Sequence, residues 1–370
     1  MGPSRPRADE AELMRWLVLM LAVACGDSAV DMDAAVDAPG VDAPGVDAPG
    51  VDAPGVDAPG VDAPGVDARP DRCSACDASA PWTCETCLPT PLQEISAVEL
   101  DGRIWVVGGF NGSLAVEARV RIFDPATNEW GDGPTLPDTR HHVQLATFDG
   151  DVYVFGGMRA GFEPLDTVYV LRAGSTEWEQ LGPMPSDRAA GVAGRIGDRI
   201  YVAAGQGDGR NDTEKLADAA PVFIFDPSDA SWSVGASIPS VREHCAGFVL
   251  NDELWVVGGR PLSLEPTYDT VEVYDPVANE WRSGPSMPSR HGGFAATVLD
   301  GIAYVSGGET RDRALTRFEA FDGTEWTRLD DVPTPRHGHA MAALGGRVFV
   351  IGGANRPVFA AVDAVESFTP

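Results

Sequence analysis

Along most of the chain, short runs of alternating or continuous apolar residues, four to six long, are broken by Gly, Asp, Asn and Pro, the pattern of strands joined by tight turns rather than of helices. One aromatic position recurs near the end of such a run: Trp105-Val-Val-Gly-Gly, Tyr153-Val-Phe-Gly-Gly, Tyr201-Val-Ala-Ala-Gly, Trp255-Val-Val-Gly-Gly, Tyr304-Val-Ser-Gly-Gly and Phe349-Val-Ile-Gly-Gly. A tryptophan lies 23 residues before each of the six: Trp82, Trp130, Trp178, Trp232, Trp281 and Trp326. Seven residues after each tryptophan stands a proline, from Pro89 to Pro333. Two-residue turns such as Asp101-Gly102, Asn251-Asp252 and Gly345-Gly346 precede the second aromatic and supply the positive φ that a hairpin needs. A third strand follows the Gly pair, as in Val271-Glu-Val-Tyr-Asp-Pro276, and the tryptophan opens a fourth. Each unit is therefore a four-stranded antiparallel meander, and a fixed internal period marks a repeat architecture.

The units resemble the kelch repeat, through the Gly-Gly pair after strand two, the Tyr-Asp-Pro near strand three and the Trp of strand four, over residues 82 to 370. The resemblance implies an all-β fold, a six-bladed kelch-type β-propeller around a central channel. Blade three departs from the pattern, with Ala204-Gly205 for the Gly pair and the longest loop between strands two and three. The chain stops at Val365-Glu-Ser-Phe-Thr-Pro370, which aligns with strand three of the sixth unit. Trp82 precedes the first unit, so the N-terminal strand around it is expected to complete the closing blade.

Upstream, the chain divides into an export signal over 1–25, a stalk over 26–72 and the propeller over 73–370. Arg5, Arg7 and Arg15 precede the nine-residue apolar run Trp16 to Ala24, which suits a secretory signal peptide and is too short to span a bilayer. Its end, Leu21-Ala-Val-Ala-Cys25-Gly26, resembles a bacterial lipobox, which implies lipidation at Cys25, a lipid anchor and an exported, cell-envelope location, periplasmic or surface-exposed. Val-Asp-Ala-Pro-Gly then repeats six times from Val36 to Gly65. Proline at every fifth position forbids a helix, and the aspartates keep the segment solvated, so a disordered acidic linker is expected.

Charge narrows the partners. The formal net charge is −29, with Lys215 the sole lysine, so no basic surface exists to neutralise phosphates and nucleic acid is excluded. Cys73-x2-Cys76 and Cys84-x2-Cys87 read as two disulfides in an oxidising compartment, with a four-thiolate zinc site as the alternative and the connectivity open. Cys245 stands alone in an innermost strand. Arg140, Arg188, Arg242, Arg290 and Arg336 open five innermost strands with all six histidines close by, His142 and His244 among them. They are candidates for an anion-binding ring at the channel mouth, against a purely structural role in tying blades together. His142 and His244 share a register while His291, His337 and His339 do not, which argues against a histidine metal cage. The acidic loop Gln206 to Pro221 lacks EF-hand spacing.

No catalytic triad or phosphate loop is present, so no catalytic residue, metal or cofactor is assigned. The expected function is a non-enzymatic module binding an envelope protein or glycan through the channel mouth and the loops between strands two and three. The alternative is a carbohydrate-active enzyme, since the resemblance extends to exported propellers of the sialic acid mutarotase type, for which channel-mouth arginines and an acid such as Glu243 would serve. The copper oxidase branch of the same resemblance implies two tyrosines, one cross-linked to cysteine, and no tyrosine is placed near Cys245 in sequence.

Overall fold

The computed structural model describes residues 79–370; the signal segment, Cys25, the pentapeptide stalk, Cys73 and Cys76 lie outside the described residues. Six four-stranded antiparallel sheets make up the propeller. Blade one runs Ser96–Leu100, Arg103–Val107, Val120–Asp124 and Glu129–Asp132, each strand pairing with the next, and blades two to five repeat that order. Among the described residues the α-helix, which we call α1, is Asp212–Asp218, in the long blade-three loop that sequence alone left irregular. Asn211 caps it by accepting from the Glu214 N–H, and Arg210 pairs with Glu214. Of that loop's acids, Glu214 is thus engaged in local structure.

The sixth sheet closes the ring as the strand count requires. Its order is Trp82–Cys84, Val365–Phe368, Arg347–Ile351, Ala340–Leu344, with Trp82 opposite Phe368 and Cys84 opposite Glu366. Cys84 and Cys87 are both disulfide-bonded. The Glu85 carboxylate accepts from Ser367 Oγ at 2.6 Å and from Arg347 at 2.5 Å, which fastens the chain's start to its end.

The apolar interior is six wedges, one between each pair of neighbouring blades. Between blades four and five, for example, Phe248, Trp255 and Val273 meet Phe294, Val305 and Phe321. Between blades six and one, Phe349 and Ile351 meet Ile104 and Phe123. The strand-four tryptophans do more than fill these gaps: the indole N–H of Trp178 donates to Pro134 O at 2.8 Å, that of Trp281 to Ala236 O at 3.0 Å and that of Trp326 to Pro285 O at 2.9 Å, each on the preceding blade. Trp130 donates likewise to Thr86 O at 2.9 Å, tying blade one to the N-terminal strand.

Trp82 packs its ring on Phe318 and Phe368 at centroid distances of 5.0 and 5.3 Å and is buried. Trp82→Ala is expected to lose about 3–5 kcal/mol, the usual cost of emptying a large buried aromatic site. Urea unfolding followed by tryptophan fluorescence measures it, and removing residues 79–90 should open the ring and abolish a single cooperative transition.

Candidate functional site

Counting back from the strand-two aromatic sorts the inner residues into layers. Thirteen residues before it stand Arg140, Arg188, Arg242 and Arg336, all 0% exposed. Arg140, Arg242 and Arg336 donate to the carbonyl of the first glycine of their own Gly pair, at 2.8 Å to Gly156, 2.6 Å to Gly258 and 2.9 Å to Gly352. Arg188 donates instead to Val202 O at 3.3 Å and Pro221 O at 3.0 Å. The strand-three residue paired with the one that follows the strand-two aromatic stands over each guanidinium. It is Glu272 for Arg242 and Glu366, at 2.7 Å, for Arg336. In blades two and three it is an aromatic face, Tyr169 at 4.6 Å from Arg140, whose charge pairs with Asp138 at 2.6 Å, and Phe223 at 4.0 Å from Arg188. Arg188 has no carboxylate partner, and burial lowers its pKa to about 9.

In blade five the same register holds His291, whose Nδ1 donates to Gly307 O at 2.7 Å, with Glu319 3.5 Å from its Nε2. Arg290 falls one residue early, and its side chain is 66% exposed. The expected cationic ring at the mouth is therefore corrected. Four of its arginines are buried clips inside their blades, three on the carbonyl freed where the Gly pair turns and Arg188 on the carbonyls of Val202 and Pro221, and the fifth lies outside the register.

Eleven residues before the aromatic comes the layer that lines the channel: Glu94, His142, Ala190, His244, Gly293 and Gly338. All six have positive φ, from 49° at His244 to 69° at Gly293. That turn of the backbone lets each residue bond to its counterpart in the neighbouring blade: His142 N to Glu94 O at 3.2 Å, Ala190 N to His142 O at 3.1 Å, His244 N to Ala190 O at 2.9 Å, Gly293 N to His244 O at 2.9 Å and Gly338 N to Gly293 O at 2.8 Å. Ile95 N to Gly338 O, at 3.3 Å, closes the belt. The belt rims a cavity of about 170 Å³.

Three belt positions carry functional side chains, and these converge. His142 Nε2 lies 3.0 Å from Glu94 Oε2 and 3.0 Å from His244 Nε2. Behind them, His141 Nδ1 contacts His142 Nδ1, and His141 Nε2 donates to Arg159 O at 3.0 Å. His244 Nδ1 bonds the Glu243 carboxylate, which also accepts from Arg260 Nε at 3.1 Å. Arg260 continues to Glu309 at 2.7 Å, Glu309 lies 3.4 Å from His337 Nε2, and His337 Nδ1 lies 3.4 Å from Glu94. The polar groups thus form a closed circuit around the mouth.

Burial alone would raise the Glu94 pKa, but the charges and hydrogen bonds of His142 and His337 outweigh it and hold the carboxyl well below its usual range. Burial depresses His141, aided by His142, and depresses His244, aided by Arg260. For His337 burial also lowers the pKa, but the carboxylates of Glu309 and Glu94 prevail and raise it. His339, also lining the channel, bonds Ser306 Oγ at 2.9 Å through Nε2; burial, Arg336 and His337 push its pKa well down. Cys245 is a buried thiol whose pKa burial raises to about 11.

Of the expected site residues, the structure brings His142 and His244 together and leaves the arginines apart. Glu94, Glu243 and Arg260 complete the arrangement. Glu94 was legible, since it stands at the same spacing from Trp105 as His142 from Tyr153; a search confined to histidines passes over it.

Glu366→Ala is expected to destabilise the fold by about 3–5 kcal/mol by stranding the buried Arg336 charge, whereas Arg290→Ala should stay within about 0.5 kcal/mol; urea midpoints compare the two. A histidine whose folded pKa lies below its unfolded value of 6.5 contributes stability above that pH and loses it as pH falls, because the unfolded chain binds the extra proton. His339→Gln should therefore flatten the decline of the melting midpoint between pH 7 and pH 5.

The comparisons agree with this architecture. The solved structure of YjhT superposes with a TM-score of 0.65 at 17% identity, covering 76% of this chain and 96% of that one, a likeness of fold. No curated protein sequence matches the chain. The family model of the KLHDC2/KLHL20/DRC7 kelch-repeats domain matches residues 94–308. With more than half its length under that model and every blade built on the same register, the chain belongs to the kelch-repeat family.

Proposed function

We propose that the protein is a binding module tethered at the cell envelope. In this reading the signal segment ends in a lipidated Cys25, the acidic stalk spaces the propeller from the membrane, and the channel mouth with its surrounding loops receives a protein or glycan. The observation that carries the proposal is an aromatic cluster beside the polar mouth. Phe110 packs against His141 at 4.2 Å, the rings tilted by 35°, and lies 5.8 Å from both Phe162 and Phe359, which are half-buried in the loops of blades two and six.

Those loops are held in a costly conformation. Phe162 has φ of 62° and Val358 of 66°, which for bulky and β-branched residues is strained. Val358 keeps it because its N–H donates to Glu309 at 3.0 Å and its carbonyl accepts from Gln93 at 2.8 Å. Strain held by a surrounding network preorganises a surface, and aromatic faces beside hydrogen-bonding groups suit a sugar ring or an apolar side chain.

A second reading, the mutarotase-type enzyme, is favoured by Arg260 and Glu243 meeting within hydrogen-bond reach beside the mouth. Four of the arginines first assigned to it are the buried clips described above, and the fifth, Arg290, lies outside their register. Arg260 itself is spent on Glu243 and Glu309.

The full chain applied to an array of sialylated, uronic and neutral glycans is expected to be retained by a subset, and Phe162→Ser with Phe359→Ser should weaken retention at least tenfold without moving the melting midpoint. Retention that ignores both substitutions overturns the site, and retention by no glycan leaves a protein partner, sought by crosslinking from the same loops. Faster equilibration of sialic acid anomers, lost in Glu243→Gln, would select the enzyme instead.

A further inference from the structure

The hydrogen positions forced by the mouth circuit leave three lone pairs facing one another. The Arg159 carbonyl can only accept, so the hydrogen of a singly protonated His141 sits on Nε2 and its Nδ1 is bare. The contact from His141 Nδ1 to His142 Nδ1 then requires the hydrogen on His142, which bares His142 Nε2. Independently, the Glu243 carboxylate takes the hydrogen of His244 at Nδ1, which bares His244 Nε2. Those two nitrogens stand 3.0 Å apart, and Glu94 Oε2, another acceptor, is 3.0 Å from the first. With each imidazole singly protonated, three acceptors stand at hydrogen-bond distance with no hydrogen among them, an arrangement that one bound cation satisfies.

The geometry points to a divalent transition-metal site formed by His142 Nε2, His244 Nε2 and the Glu94 carboxylate. The three donor atoms lie within 4.8 Å of one another. A metal with bonds of about 2.1 Å sets its donors roughly 3–3.5 Å apart, so two of the separations already suit it. Two imidazoles with one carboxylate favour zinc or a neighbouring first-row ion over calcium or magnesium, which take oxygen shells. Both imidazoles have the outer support that metal-bound histidines need: His244 through Glu243, itself fixed by Arg260, and His142 through His141 and the Arg159 carbonyl.

The three donors come from blades one, two and four of the belt. Of its six positions, Ala190, Gly293 and Gly338 put no functional group into the channel, and a Cβ at Gly338 would strike the Glu94 carboxylate. The remaining coordination positions thus face the channel, open to water or to an oxygen of a ligand. This site rests on donor atoms outside the aromatic cluster of the proposed binding function, although the two share His141.

The test uses the full chain, stripped with a chelator and titrated with Zn²⁺ by calorimetry. One equivalent is expected to bind far more tightly than the stalk aspartates do. His244→Ala and Glu94→Gln should weaken that equivalent at least a hundredfold, and Glu243→Gln about ten- to a hundredfold through His244. His339→Gln, which alters another imidazole lining the same channel, should leave it unchanged within twofold. Absence of a tight equivalent, or equal loss in His339→Gln, overturns the site. Should the ligand variants fail to fold, X-ray absorption at the zinc edge of the wild-type protein decides: two imidazole nitrogens with carboxylate oxygen support the assignment, and a sulfur-containing or all-oxygen shell overturns it.

Discussion

Closure is the constraint on which everything else depends. Each blade buries its apolar faces only against its two neighbours, so an open ring would leave both faces of one wedge in water. The chain closes the ring with a strand from its beginning, pairing Trp82 with Phe368, and reinforces the seam with the Glu85 contacts to Ser367 and Arg347. A second closure runs inside the first. The belt of inter-blade backbone bonds passes through all six blades and returns to its start at Ile95. Because the belt needs one residue per blade in the left-handed region, the circular geometry at the channel fixes backbone conformation at six points far apart in sequence.

The same rings decide how buried charge is tolerated. A guanidinium placed under a Gly pair satisfies carbonyls that no strand can reach, but it must then be neutralised. The molecule uses a strand-three glutamate in blades four and six and Asp138 beside the Tyr169 face in blade two, while Arg188 of blade three rests on the Phe223 face without a carboxylate. Blade five uses histidine with a glutamate. These are interchangeable answers to one local electrostatic problem, and they show why the arginines serve the fold rather than a ligand.

Strand order, blade number and the closing strand were legible because they follow from spacings: the 23-residue interval between aromatics admits one meander, and a missing fourth strand at one end with a surplus one at the other admits one closure. The site was only partly legible. Reading the arginines by their neighbourhood rather than by strict register admitted Arg290 and overlooked His291, which does the corresponding work. Glu94 escaped notice because its chemistry differs from that of His142, although its position does not. Arg260 and Glu309 follow the Gly pair in their blades, and nothing in a linear spacing says that these two positions meet across a blade boundary. That contact is a property of the ring.

The left-handed conformation of the belt also acts as a filter on composition. β-Branched side chains are poorly accommodated there, whereas glycine and short polar residues, histidine included, are favoured. The backbone geometry that joins the blades therefore restricts which side chains can look into the channel, and it does so in favour of residues that bond protons and ions. In a ring built this way, the entrance to the axis is chemically biased before any ligand has acted on it, and six residues decide which groups the channel presents.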